Sequence, residues 1–191
     1  GWQVLDAFAG SGALGLEAAS RGAARVTLVE QDAAQARDLQ AVVQRLEGAV
    51  AAVQVARASG VDVLRRQAPA SLDLVLLDPP FDAGLHAPAL AAALPVLKPG
   101  GWLYLEAAQA WGEGAADDAQ VPPGLVLRRH LKAGAVHAHL FERVDLAFAT
   151  PPTREQLQAQ LQSKNNYEVE HARRLLAILE HEGKLETSYP Y

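Results

Sequence analysis

The sequence predicts an α/β protein built on a doubly wound, mostly parallel sheet. Two observations favour this fold class. Short β-branched or apolar runs alternate with helix-like segments as far as Glu106, a pattern typical of parallel sheets with helices on both faces. A glycine-containing turn also joins the first run to the first helix, as in nucleotide-binding α/β proteins. The 191 residues suit one domain with a modest appendage.

Hydrophobic pattern and turn residues locate the alternating elements. Strands are predicted around Leu5 and Ala7 and over residues 25–30, 50–55, 71–77 and 102–106. Helices are expected at 14–20, 32–46, 61–67 and 86–97. Asp32 is the expected N-cap of the second helix, and Lys98 to Gly101 are expected to form a turn before the fifth strand.

The alternation stops after the fifth strand. Residues 125–132 and 136–143 are strand-like and are joined by Ala133-Gly134-Ala135, which predicts an antiparallel hairpin at the edge of the sheet. Residues 107–124 are expected to form a mobile loop, because they are rich in glycine, aspartate and proline.

Composition argues against several classes of protein. The chain has no cysteine, so a disulfide framework or a thiolate metal site is excluded. No apolar run approaches the roughly 20 residues of a membrane span, and no secretory leader opens the chain, which predicts a cytoplasmic protein without a membrane partner. The net charge of −5 argues against broad, non-specific binding of nucleic acid, but it allows a small basic patch.

The first glycine turn predicts a site for a ligand that contains adenosine. Gly10 and Gly12 tolerate unusual backbone angles and leave room for a ligand at the start of a helix. With Gly15 they match G-x-G-x-x-G, and Glu30 lies twenty residues beyond Gly10, which fits a dinucleotide with its ribose on Glu30. Many S-adenosylmethionine enzymes instead carry an acidic residue four positions before the first glycine, where Asp6 stands here. Solvated carboxylates at strand ends are the plainer interpretation.

A second motif, Asp78-Pro79-Pro80-Phe81, follows the fourth strand at the same edge of the sheet. Prolines stiffen the backbone, so the Asp78 carboxylate and the Pro79 carbonyl offer two positioned acceptors for an exocyclic amine. Such a grip would direct the nitrogen lone pair at a methyl group, and Phe81 would stack on a base. The plainer interpretation is a strand-ending turn with a core phenylalanine.

Residues 1 to about 143 resemble the 16S rRNA guanine-N2 methyltransferase family, whose members are Rossmann-like and S-adenosylmethionine-dependent. The segments that carry this resemblance are VLDAFAGSGALGLEAASRGA (4–23), VTLVEQD (26–32), DLVLLDPPF (73–81), LKPGGWLYLE (97–106) and HLFER (139–143).

The resemblance implies S-adenosyl-L-methionine as the cofactor and ribosomal RNA, or a small-subunit assembly intermediate, as the partner of a monomer. The cofactor-binding residues that we expect on this basis are Asp6, Phe8, Gly10, Ser11, Gly12, Glu30, Gln31 and Ser59. Asp78, Pro79 and Phe81 are expected to hold the substrate amine and its base.

Two departures from the family pattern bear on these expectations. The family usually has a basic segment before the first strand, and we expect such a segment to be missing from this sequence. The loop after the third strand reads Ala58-Ser59-Gly60 where such enzymes often place Asn or Asp near the adenine, so Ser59 or Asp62 would have to make that contact.

The composition shifts near residue 144, which predicts a methyltransferase domain over 1–143 and a helical C-terminal appendage over 144–191. Helices are expected at 153–162 and 166–182. This tail is similar to a helical stretch of neutral, non-lysosomal ceramidase-like proteins, so one hypothesis is a chain that joins fragments of two proteins.

Other titratable groups have plainer interpretations. His137 and His139 share a strand face, but no third ligand is evident, so we expect a structural or solvated pair and no metal. The candidates for phosphate contacts, which are equally explained as solvated side chains, are Arg65, Arg66, Arg128, Arg129, His130 and Lys132.

The best-supported reaction is methyl transfer from S-adenosylmethionine to a guanine N2 amine of small-subunit ribosomal RNA. In-line displacement from a sulfonium needs no metal, because the leaving group is neutral. A NAD-dependent dehydrogenase would share the glycines and Glu30, but it has no evident use for Asp78 to Phe81. An inactive, cofactor-binding remnant is the third interpretation.

Overall fold

The computed structural model describes residues 1–46, 52–112, 119–144 and Gln158. The chain divides into two units, Gly1–Val144 and Asp145–Tyr191, and the strands and helices described below all belong to the first. In chain order they are β1 (Gln3–Asp6), α1 (Ala13–Ser20), β2 (Arg25–Glu30), α2 (Ala33–Arg45), β3 (Ala52–Arg57), α3 (Gly60–Arg66), β4 (Leu72–Leu77), α4 (His86–Ala93), β5 (Leu97–Ala107), β6 (Leu125–Ala133) and β7 (Val136–Arg143).

These seven strands form one sheet in the order β3-β2-β1-β4-β5-β7-β6. Strands β1 to β5 are parallel to one another, whereas β7 runs antiparallel to both β5 and β6. The predicted fold class, a Rossmann-like parallel sheet with a C-terminal antiparallel hairpin, is confirmed. The strand order reverses between β1 and β4, which is the place where open α/β sheets bind their ligands.

Apolar side chains bury both faces of the sheet. On β4, Leu76 belongs to one core cluster with Leu28 of β2 and Leu39 of α2. Its neighbour Leu77 belongs to the other cluster, with Leu64 of α3. Side chains alternate across a strand, so this division places α2 and α3 on opposite faces. The apolar run of β4 therefore lies in a strand that is buried on both sides, as its sequence predicts.

The boundary between α4 and β5 differs from the prediction. Helix α4 ends at Ala93 and β5 begins at Leu97, so Lys98 to Gly101 lie within the strand and not in a separate turn. Leu97 pairs with Leu72, and the register then shifts before the pair of Leu74 and Trp102. The extra residues form an irregularity in β5 where the turn-like sequence is accommodated. Pairing with β4 has overridden the local turn preference.

Other expectations fall partly outside the described residues. Strand β3 begins at Ala52, two residues after the predicted start, and residues 47–51 are not described. The same holds for residues 113–118 of the predicted loop and for both predicted tail helices, apart from the helical Gln158. Within the described ranges, no helix is long and apolar enough to cross a membrane.

Helix α3 begins in direct contact with the turn after β1. A Cβ on Gly60 would lie 1.9 Å from the carbonyl oxygen of Ala7, so only glycine fits there. The preceding residue, Ser59, caps the helix by accepting a hydrogen bond from the backbone N–H of Asp62 at 3.4 Å. The close approach of Gly60 to Ala7 holds α3 against the end of β1, the strand that leads into the glycine turn.

We expect the substitution Gly60→Ala to lower the free energy of unfolding by about 3 kcal/mol, because the clashing atom is backbone and cannot rotate away. Ser59→Ala, in the same loop, should lower it by only about 1 kcal/mol through loss of the cap. Urea unfolding of both variants measures this. A Gly60→Ala variant as stable as Ser59→Ala would contradict the close contact.

Candidate functional site

The carboxyl ends of β1, β2 and β4 surround a cavity of about 370 Å³. Of the residues singled out from the sequence, the structure brings to its lining Asp6, Phe8, Gly10, Ser11, Glu30, Gln31 and Asp78. Four others do not line it, namely Gly12, Ser59, Pro79 and Phe81, while the sequence analysis missed the lining residues Gln35, Gly60 and Leu85. The two sequence motifs therefore meet at one cavity, as expected from their positions at strand ends.

The glycine turn has two different parts. Gly10 lies at φ 50°, and no atom stands within 4 Å of the place where its Cβ would be, so the turn is open on that side. Gly12 lies at φ 85°, and its Cβ would come 2.5 Å from Leu39 of α2. Gly10 thus provides open space at the cavity, whereas Gly12 allows the turn to pack against α2 and to start α1.

Asp6 holds the turn from below. Its carboxylate is buried and accepts hydrogen bonds from the backbone N–H of Gly15 at 3.0 Å and of Phe8 at 3.4 Å. Burial raises the pKa of Asp6 to about 7, against the two N–H groups that lower it and with smaller contributions from the negative charges of Asp78 and Glu30. The side chain orients the turn and carries a proton near neutral pH.

Glu30 fixes the other side of the turn. Its Oε2 accepts a hydrogen bond from the N–H of Gly10 at 3.0 Å, and its Oε1 accepts one from the N–H of Asp32 at 2.7 Å. Asp32 in turn accepts from the N–H groups of Ala34 and Gln35, each at 2.9 Å, which confirms it as the N-cap of α2. Glu30 thus joins the glycine turn to the start of the next helix at the rim of the cavity.

The Asp78-Pro79-Pro80-Phe81 segment lies across the cavity from the glycine turn. Burial raises the pKa of the half-buried Asp78, and the charge of Glu106 raises it further. Phe81 is 39% exposed, and its ring centroid lies 6.2 Å from that of His86. An exposed ring at this position argues against a core phenylalanine and offers a planar ligand a surface on which to stack.

Three residues beside this segment were missed in the sequence analysis. Glu106, near the end of β5, accepts a hydrogen bond from the Tyr104 hydroxyl at 2.8 Å, and its backbone carbonyl lies 3.1 Å from Nε2 of His86. Burial and the Glu106 carboxylate raise the pKa of Tyr104. The sequence could have indicated Glu106, because it lies near the carboxyl end of a predicted strand, at the same edge of the sheet as Asp78.

The hairpin places a third histidine beside the two that were noted. His130 of β6 pairs with His139 of β7, and one ring nitrogen from each of His130, His137 and His139 lies within 4.8 Å of the others. Both nitrogens of the buried His139 are engaged, because Nε2 accepts from the N–H of Trp111 at 3.0 Å and Nδ1 lies 3.2 Å from the carbonyl of Leu105. His139 is therefore a structural bridge, and only His130 and His137 remain at the surface.

Two of the candidate phosphate contacts, Arg65 and Arg128, form ion pairs within the protein. Arg128 lies 2.7 Å from Glu142, and Arg65 lies 3.5 Å from Asp62. Such exposed ion pairs contribute little to stability and exchange readily with other anions.

Comparison with known proteins gives consistent matches over the first unit. A family model described as "Conserved hypothetical protein 95" matches residues 1–142. "Ribosomal RNA small subunit methyltransferase D" of Escherichia coli (strain K12) is 36% identical over 143 residues, which cover 74% of this chain and 68% of that protein. The protein of the same name from Haemophilus influenzae is 38% identical over 107 residues, or 54% of this chain and 55% of that one.

Two solved structures agree with these matches. One from Haemophilus influenzae, described as a methylase, has a TM-score of 0.66 at 31% identity and covers 75% of this chain and 88% of that one. A second from Escherichia coli, described as a methyltransferase, has a TM-score of 0.63 at 33% identity and covers 75% and 76%.

The raised pKa of Asp6 predicts a pH dependence of stability. The folded state keeps the Asp6 proton up to about pH 7, whereas an unfolded chain releases it near 3.8, so folding binds a proton in this window and stability falls as pH rises through it. Relative to Asp6→Asn, which cannot titrate, the wild-type chain should lose on the order of 4 kcal/mol between pH 4 and 7. Urea unfolding of both chains at several pH values measures the difference, and a constant difference would contradict the assignment.

Proposed function

The chain belongs to the family described as Conserved hypothetical protein 95 and to the ribosomal RNA small subunit methyltransferases D, and from this membership we propose methyl transfer from S-adenosylmethionine to the N2 amine of a guanine. The substrate is small-subunit ribosomal RNA. The observation that carries the proposal is the cavity in which the glycine turn, a set of carboxylates and the segment that begins at Asp78 meet.

The charge of the cavity fits this cofactor. Its lining includes the carboxylates of Glu30 and Asp78 beside the Asp6 carboxyl group, which carries a proton near neutral pH, and no Lys or Arg stands among the lining residues that the structure describes. S-adenosylmethionine carries a sulfonium and an ammonium, which carboxylates attract, whereas the two phosphates of NAD would be repelled. Electrostatics therefore favours the methyl donor over the dinucleotide that the glycine spacing alone would also allow.

The residues that would hold the cofactor lie on the first two strand ends. The open side of Gly10 and the neighbouring Ser11 admit the ligand to the backbone, and Phe8 and Gln31 lie on the same lining. When bound, S-adenosylmethionine supplies an electrophilic methyl group whose departure leaves a neutral thioether. Asp6 and Glu30 hold the turn in place with hydrogen bonds to Gly15, Phe8 and Gly10. No metal is required for this chemistry.

The substrate amine would be held at the other wall. The Asp78 carboxylate and the Pro79 carbonyl accept its two hydrogens, and the exposed ring of Phe81 stacks on the base. The raised pKa of Asp78 makes it the better acceptor for the proton that the amine must lose.

We propose that this chain acts as a monomer on ribosomal RNA, or on a small-subunit assembly intermediate, in the cytoplasm. The alternative in which this chain binds the cofactor without turnover predicts cofactor binding with no product.

Calorimetric titration should show binding of S-adenosylmethionine with a dissociation constant in the micromolar range, on the order of −8 kcal/mol, and no binding of NAD. Glu30→Gln should weaken the first interaction, because it removes a charge from the cavity and one acceptor from the turn. Glu17→Gln, which changes an exposed residue of α1 paired with Arg21, is the matched control and should bind normally. Preferential binding of NAD would contradict the proposal.

Incubation with S-adenosylmethionine and small-subunit rRNA transcribed in vitro, free or assembled with ribosomal proteins, should yield N2-methylguanosine on nucleoside analysis. Asp78→Asn should lower kcat by roughly 100-fold or more, because it removes one hydrogen-bond acceptor for the amine and the group that takes up the amine proton. The glycine turn that would hold the cofactor should stay intact. Cofactor binding by Asp78→Asn, measured by calorimetry, should persist. Two outcomes would refute guanine N2 transfer. One is methylation of another base, and the other is the absence of any methylated product from a chain that binds the cofactor.

A further inference from the structure

Strands β4 and β5 bring two carboxylates together at the proposed substrate wall. Leu76 pairs with Tyr104, and Leu77 pairs with Leu105. The next residues in this parallel register are Asp78 and Glu106, on strands that lie about 4.8 Å apart. Alternation along β5 places Glu106 on the same face as Tyr104, whose hydroxyl contacts it. Asp78 follows directly after the end of β4, close enough for the charge of Glu106 to act on it.

The Glu106 carboxylate is positioned by its own strand. The hydroxyl of Tyr104, two residues earlier on the same face, donates to Oε1 of Glu106 at 2.8 Å. The backbone carbonyl of Glu106 is fixed by His86, whose ring stacks on that of Trp111 with centroids 5.7 Å apart. The other carboxylate oxygen, Oε2, accepts no hydrogen bond from any residue within the described ranges. One acceptor is thus held in place beside Asp78 and remains open to a ligand.

We propose that Glu106 is the specificity-determining residue that selects guanine, by accepting the N1–H of the base while Asp78 and the Pro79 carbonyl hold the N2 amine. This inference rests on the proposed function and adds the reason for its choice of base.

The chemistry of the bases supports this assignment. Adenine, cytosine and guanine all carry an exocyclic amine, so an amine-binding motif alone does not distinguish them. In guanine one of the two ring nitrogens beside the amine, N1, carries a hydrogen, whereas in adenine and cytosine the ring nitrogen beside the amine presents a lone pair. A second carboxylate next to the amine site therefore makes a hydrogen bond with guanine and repels the other two bases.

The electrostatics of the wall is consistent with a close pair. The negative charge of Glu106 contributes to the raised pKa of Asp78. The other titratable groups at this wall are Tyr104, which donates to Glu106, His86, which contacts its backbone, and Asp6, whose own pKa is raised in part by Asp78. Two carboxylates that share a site in this way are suited to a ligand edge that offers two adjacent donors.

The first test substitutes Glu106→Gln, which keeps the size of the side chain and an oxygen for Tyr104 but presents an amide donor to the base. The kcat/KM for N2-methylguanosine formation should fall roughly 10- to 100-fold, the effect of losing a hydrogen bond to a charged group. The affinity for S-adenosylmethionine should not change. Tyr104→Phe, which leaves Glu106 in place without its orienting donor, should lose roughly 2- to 10-fold. Glu17→Gln is again the control and should match the wild type.

A binding test distinguishes selection from a merely structural role. The fluorescent probe 2-aminopurine ribonucleoside monophosphate has the amine of guanine, but its N1 is an acceptor. The wild-type chain should bind it more weakly than guanosine monophosphate, and Glu106→Gln, whose amide donates to that acceptor, should reverse the order. Carbon-13 NMR of the carboxyl groups should show the midpoint of Asp78 falling in this variant while Asp6 still titrates near 7.

The outcomes separate the two proposals. If the wild-type chain produces N2-methylguanosine but Glu106→Gln, folded as judged by its urea unfolding curve, keeps full activity and the wild-type preference for guanosine monophosphate, Glu106 does not select the base. If the wild-type chain methylates no guanine, the proposed function itself fails. A loss of activity accompanied by reversed probe preference supports the selection of guanine by Glu106.

Discussion

The buried carboxylate of Asp6 is the group on which the rest of the site depends. It accepts hydrogen bonds from the backbone N–H of Phe8, at the start of the turn after β1, and of Gly15, in the first part of α1, and these bonds hold the turn between strand and helix. Gly15 must be glycine for this packing, because a Cβ there would lie 2.1 Å from a side-chain carbon of Leu28 and 3.1 Å from the Asp6 carboxylate. Helix α1 therefore packs closely against the sheet at Gly15. The cavity lies on the other side of the turn, where Gly10 is open. Burying a carboxyl group is unfavourable unless it is neutral or hydrogen-bonded, and Asp6 meets both conditions near pH 7.

The parallel sheet brings acidic residues that are distant in the sequence together at one edge. Glu30, Asp6, Asp78 and Glu106 lie at or next to the carboxyl ends of four strands that are neighbours in the order β2, β1, β4 and β5. Burial is the main cause of the raised pKa values of Asp6 and Asp78, and the neighbouring carboxylates raise both further. In the proposed reaction, this edge would discriminate by charge at one end, in favour of a cationic cofactor, and by hydrogen-bond polarity at the other, in favour of a base with two donors. The same physical device serves both parts of the proposed reaction.

The sequence predicted what depends on local chemistry and on strand ends. Local patterns predicted the N-cap Asp32 and strand β2, because capping and β-branched runs operate within short segments. The meeting of the two motifs was predicted because the carboxyl ends of parallel strands lie at one edge of the sheet. It could not predict features that depend on pairing between distant strands. The inclusion of Lys98 in β5 follows from pairing with β4. The approach of His130 to His139, and of Glu106 to Asp78, requires the register of a sheet that no local window contains.

The hairpin that closes the sheet has a consequence for the behaviour of the protein at high concentration. Strand β6 lies at the end of the strand order, so one row of its backbone groups faces away from the sheet, and Leu131 on it is 67% exposed. Among the strands that the structure describes, none pairs with the outer side of β6, and an unpaired edge strand of this length is a template for strand addition and aggregation. Its arginines and lysine, Arg128, Arg129 and Lys132, place positive charge along that edge, so that a second copy would meet a strand of the same charge. We expect such charges to disfavour continuation of the sheet into a neighbouring molecule.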